Sequence, residues 1–180
     1  MQGVERMSER DVKGIAEALV PELRKRAQLA DEMRSVPAEN IALLKKSGLL
    51  QMLQPASCGG QELSMRAHVD VMSTIAKGCN ATAWVLGVFH AHSWVLGHMD
   101  VRAQQDVYGK GGDQAVSAVI GPRGKATRKA DGSYVLSGFW PFASGNAAAE
   151  WLLLGSEIFD EAGNKLDDGD LLVQKKDLEV

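Results

Sequence analysis

Residues 131–155 read DGSYVLSGFWPFASGNAAAEWLLLG, and the period of this stretch decides the class of fold. On either side of the aromatic run, SYVLSG and EWLLLGSEI are strand-like, and the turn signals ADGS and DEAGNKLDDGD bound them. Outward from here the same period of two reaches back to Gln114, through QAVSAVI and GKATRKA, and forward through DLLVQKK. Before residue 112 the apolar residues recur every three or four positions instead. A helical half followed by strands joined through short turns is an α+β arrangement, and short turns build antiparallel meanders. The expected organisation is a helical domain over residues 1–112 and an antiparallel β domain over 113–180.

In the helical part, Val12, Ile15, Ala16, Leu19 and Leu23 mark an amphipathic helix from Ser8 to about Met33, which Pro21 should kink or restart. VPAENIALLKKSG is a second helix, with Pro37 in its first turn and Gly48 as its left-handed end. Ser64 caps a third, reaching about Lys77. NATAWVLGVFHAHSWVLGHM is apolar almost all round, so it should be a central helix buried by its neighbours. Asp100 opens a last helix, DVRAQQDVYGKGG.

The composition excludes several functions. With 20 basic and 23 acidic residues and a net charge of -3, no basic stripe exists for a nucleic-acid backbone. Cys58 and Cys79 form no CxxC pair, which points to free thiols in a reducing compartment. The longest apolar stretch, residues 83–97, is broken by Gly87, His90, His92 and Ser93, so no membrane span is expected and the reading is a cytoplasmic protein. The glycines of YGKGGD match no nucleotide-binding spacing and precede a strand. His90 and His92 diverge by roughly 200° on a helix and no HExxH pair exists, so no metal site is expected.

Two features carry chemistry. Trp84, Val88 and His92 lie at i, i+4 and i+8, placing an indole and an imidazole on one helix face about 12 Å apart along the axis. Ordinary helix packing and a pocket wall for a flat ligand both account for that spacing. FWPFASG sets bulky rings against one small hydroxyl, and plain turn chemistry also accounts for its Ser-Gly ending.

VPAENIALLKKSGLLQMLQPASCGGQEL, NATAWVLGVFHAHSW and the stretch quoted first, in this order, resemble the acyl-CoA dehydrogenase fold. Within it the chain is most similar to the oxygenase components of two-component flavin-dependent monooxygenases, of the 4-hydroxyphenylacetate 3-hydroxylase and steroid A-ring hydroxylase type. The resemblance implies a β domain of barrel-like form, a C-terminal four-helix bundle that this chain lacks, and a homotetramer for the full-length protein. It implies a reduced flavin, FMN or FAD, delivered by a separate flavin reductase, and molecular oxygen as co-substrate. The resulting C4a-hydroperoxide transfers oxygen to an aromatic small-molecule substrate.

By the same resemblance Ser144 hydrogen-bonds the flavin near N5, while Trp140, Phe142, Ala143 and Gly145 line its ring. His92 contacts the substrate's hydroxyl with Trp84 packing nearby, and Ser117 is a second polar contact. The catalytic pair is then His92 and Ser144. Where acyl-CoA dehydrogenases carry a threonine- and acid-containing segment, this chain has VIGPRGKA, a departure that weakens the thioester-oxidising reading. A dehydrogenase-like oxidoreductase and a non-catalytic interaction module remain the alternatives.

Overall fold

The computed structural model describes residues 7–109 and 111–178. The chain divides into two compact units, residues 1–115 and 116–180.

The first unit is helical. Helix α1 (Glu9–Lys25) starts at a capping box: the Ser8 hydroxyl accepts from the Asp11 amide while the Asp11 carboxylate accepts from the Ser8 amide. Pro21 does not restart the helix as the sequence suggests. Glu17, whose carbonyl loses its partner to the proline ring, is exposed like Pro21 itself, so water can satisfy that carbonyl. The break falls at Arg26, after which α2 (Ala27–Met33) follows. Next come α3 (Ala38–Lys46), α4 (Met65–Ala76), α5 (Asn80–Leu96) and α6 (Val101–Tyr108). Gly48, at φ 75, takes the left-handed position after α3.

The core of this unit lies where α1 packs on α4 and α4 on α5. Val12, Ala16 and Leu23 of α1, Val71 and Ile75 of α4, and Leu86 and Phe89 of α5 are all fully buried there. Each large side chain of this kind contributes about 1.5–3 kcal/mol. Helix α5 departs from expectation. It is not buried all round, because Trp84 is 66% exposed and Trp94 46% exposed, while Phe89 and His90 face the core.

The second unit is one four-stranded sheet. Strands β1 (Val116–Arg128), β2 (Tyr134–Gly138), β3 (Trp151–Phe159) and β4 (Lys165–Gln174) are ordered β2-β1-β3-β4. The pairs β1–β2 and β3–β4 are antiparallel hairpins, closed by turns at Gly132 and Gly163, both at positive φ. The pair β1–β3 is parallel, Val116 opposite Trp151. The sheet is therefore mixed, where the sequence suggested antiparallel throughout. It ends at β2 and β4, so among the described residues it forms an open sheet and no closed barrel.

The physical reason is visible in β3. Its Trp151–Ser156 run is buried at every position, the mark of a strand covered on both faces and flanked on both sides, not of a hairpin arm with one wet face. Two glycines permit the parallel contact. Gly121, at φ 104, sits in the irregularity of β1, and a Cβ at Gly155 would fall 2.0 Å from its carbonyl oxygen. Residues 139–150, which hold FWPFASGN, are consequently not a hairpin turn. They are the crossover that carries the chain from β2 to the far side of β1.

Candidate functional site

In the sheet unit the crossover is pinned from several directions. After Gly138 the chain leaves β2, and the Trp140 indole folds back onto the sheet, its Nε1–H donating to the Gly155 carbonyl at 2.9 Å. Gly124 and Gly138 make room for that ring, since a Cβ at Gly124 would stand 2.0 Å from it. Trp140 thus lies on the sheet face, in an open groove of about 990 Å³ with Tyr134, Leu136, Ile158, Leu171 and Val173. Phe142, Ala143, Ser144, Gly145 and Ser117 are not among the residues of that groove.

Beyond Pro141 the chain turns sharply. Phe142 has φ 62 and its side chain is 95% exposed. A left-handed conformation in a bulky residue costs on the order of 1–3 kcal/mol and persists only where the surroundings enforce it. Hydrogen bonds on both sides of Phe142 enforce it. The Ser144 amide donates to the Phe142 carbonyl at 2.7 Å, and Gly145 follows at φ 79. The fully buried Ser117 of β1 donates its hydroxyl to the Ser144 carbonyl at 2.8 Å. Lys175, just beyond β4, donates through Nζ to the Asn146 and Ala147 carbonyls at 2.7 and 3.2 Å.

The loop therefore holds an outward aromatic ring, two small residues and a half-buried serine in fixed backbone geometry. The Ser144 hydroxyl engages no partner among the described residues. The structure brings Ser117 and Ser144 together through the backbone, with the Ser117 hydroxyl committed to holding the loop. Lys175 escaped the sequence reading, because nothing local marks a lysine that reaches back to carbonyls far earlier in the chain.

In the helical unit, Trp84, Val88 and His92 occupy one face of α5, with Trp84 exposed and Val88 and His92 half-buried. On the opposite side His90 is fully buried, and its Nε2 meets the Leu49 carbonyl at 2.6 Å. Its Nδ1 lies 2.9 Å from Nδ1 of His68 on α4. Burial pushes His90 down to about 4, with the Leu49 bond opposing and His68 reinforcing the shift. Burial also lowers His68. Trp94 and His98 pack together on the outside of α5, ring centroids 4.3 Å apart and planes tilted by 47°. Among the described residues no group of three or more His, Cys, Asp or Glu could hold a metal ion, and no helix is long and apolar enough to cross a membrane.

A capped helical domain leading into a mixed sheet, whose crossover loop offers a ring and an unengaged hydroxyl, defines the class. The chain belongs to the acyl-CoA dehydrogenase N-terminal domain family, whose model matches residues 5–109. It is 31% identical over 164 residues to the oxygenase subunit HsaA, a flavin-dependent monooxygenase of Rhodococcus jostii RHA1, covering 91% of this chain and 42% of that protein. It is 33% identical over 161 residues to the oxygenase component of p-hydroxyphenylacetate 3-hydroxylase of Acinetobacter baumannii, covering 87% of this chain and 38% of that one. The crystal structure of the HsaA monooxygenase from M. tuberculosis superposes with a TM-score of 0.87 at 29% identity, over 96% of this chain and 45% of that one. The chain spans less than half the length of these relatives.

Proposed function

We propose that this chain belongs to the oxygenase component of a two-component monooxygenase that hydroxylates a phenol-type aromatic substrate, using molecular oxygen and a reduced flavin supplied by a separate reductase. The observation that carries the reading is the crossover loop: Ser144, with an unengaged hydroxyl, follows the outward Phe142 by two residues, and both sit in a backbone pinned by Ser117 and Lys175. The residues fit an isoalloxazine, which is flat, apolar at one end and hydrogen-bonding along N5. The monooxygenase relatives favour the same reading.

When bound, the reduced flavin would supply the activation of oxygen for insertion into an aromatic ring. The chain's own residues would do the rest. Phe142, Ala143 and Gly145 would cover the ring and exclude water, and Ser144 Oγ would hold a proton at the N5 edge. Ser117 and Lys175 would keep that oxygen in place by fixing the backbone on either side of it. Trp140 would support the loop from the sheet. On α5, a His92 ring nitrogen would take or share the phenol proton, raising electron density on the carbon to be hydroxylated, with Trp84 against the substrate ring.

The test supplies reduced flavin, oxygen and a simple phenol to the full-length protein that carries these residues, and quantifies hydroxylated product against hydrogen peroxide. Ser144→Ala should divert turnover from product to peroxide. His92→Ala should lower product formation by about 10²–10⁴-fold, and His92→Asn by less. No hydroxylated product from the parent protein, or flavin reduction by an acyl-CoA without any reductase, would overturn the hydroxylase reading. An unchanged product-to-peroxide ratio in Ser144→Ala removes that serine from its role.

A further inference from the structure

The His68–His90 pair belongs to neither candidate site and has a defined polarity. The Leu49 carbonyl can only accept, so Nε2 of His90 carries a hydrogen. A fully buried His90 held near 4 is neutral at neutral pH, which leaves its Nδ1 as a lone pair. The contact of 2.9 Å then requires that Nδ1 of His68 carry the hydrogen and donate. The rings meet edge-on, centroids 5.1 Å apart at 66°, a geometry that such a bond allows. The chain of bonds runs one way, from His68 on α4 through His90 on α5 to Leu49 in the turn after α3.

Two segments, α4 and the turn after α3, thereby clasp one residue of α5 at its buried side. His92 lies two residues further on, about 200° around the axis, and Trp84 shares its face. With side chains roughly 5–6 Å from the axis, a helix rotation of about 20° sweeps them about 2 Å. A displacement of about 1 Å at a reacting group can cost on the order of 10²-fold. Packing of the fully buried Leu86 and Phe89 is non-directional, whereas the bonds at 2.6 and 2.9 Å fix the His90 ring at both of its nitrogens and so add a direction to that packing.

We propose that His68 and His90 form a directional hydrogen-bonded pair that sets the rotation of α5, making both of them positioning residues for the Trp84–His92 face. The assignment of that face as a substrate wall rests on the function proposed above; the pair itself does not.

Long-range proton–nitrogen correlation spectra of the 180-residue chain near neutral pH should show His90 protonated at Nε2 and His68 at Nδ1. His68→Leu removes the donor and should shift the His92 ring and Trp84 indole resonances. His68→Asn, which offers an amide donor at the same place, should return them toward their original positions. Reversed tautomers overturn the proposal, as does a His68→Leu protein that melts earlier with Trp84 and His92 signals unmoved. If His68→Leu does not fold, His68→Phe keeps a flat ring at that place without a donor, and the same two signals decide. None of them depends on flavin or on hydroxylation, so this proposal and the hydroxylase reading fail separately.

Discussion

At the scale of single residues, glycine decides what the crossover can do. Gly124 and Gly138 are directly opposite each other on β1 and β2, and both leave space that the Trp140 indole fills. A methyl group at Gly124 cannot coexist with that ring, which its bond to Gly155 holds in place. Gly124→Ala should therefore destabilise the protein by about 1–3 kcal/mol, read as a lower denaturation midpoint. In a Trp140→Ala background the same change should cost less, since the ring is gone and only the Ser156 hydroxyl, 2.8 Å from the added methyl, must give way. Equal costs in both backgrounds would mean that the indole does not occupy this space. Phe142 is the counterpart: its side chain meets little, and its strain is maintained by the backbone around it. A bulky residue at positive φ cannot be anticipated from FWPFASG, because the enforcing partners, Ser117 and Lys175, stand 25 or more positions away in sequence.

At the scale of elements, a polar network adds directed bonds to the apolar packing between helices. Arg26, at the break between α1 and α2, donates to the Asn40 side chain of α3 at 2.6 Å, and Asn40 donates to the Thr82 hydroxyl of α5 at 2.9 Å. Asn40 and Thr82 are fully buried. Asn40→Ala leaves the buried Thr82 hydroxyl without this donor and takes an acceptor from the half-buried Arg26, and a loss of about 1–3 kcal/mol in urea denaturation is expected. A loss below about 0.5 kcal/mol would mean that the network carries no weight. The helices themselves were legible: Ser8, Ser64 and Gly48 stand at the ends their chemistry implies. The order of the strands was not, because a period of two records that a segment is extended and is silent on its neighbours. The continuous apolar run of β3 was the one local hint of a strand flanked on both sides.

At the scale of the whole molecule, His90 ties stability to pH. Its folded value of about 4 lies below the ordinary 6.5, so the fold favours the neutral ring. The contribution is fully present above about 6.5 and is lost as the pH falls from there toward 4, where the unfolded chain takes a proton that the folded one refuses. The loss should amount to roughly 3 kcal/mol across that window. Denaturation midpoints measured through it should fall, and His90→Gln should flatten the fall; an equally steep fall in the variant would assign it to other groups. The sequence by itself determined the two halves, their helices and the residues with chemistry on them, since periodicity, caps and turn residues act over a few positions. Only the tertiary structure decided that β1 and β3 run parallel, that FWPFASGN is a crossover, that α5 keeps an open face, and that His68 meets His90. Each of these depends on contacts between residues far apart in the chain, whose energies no local pattern encodes.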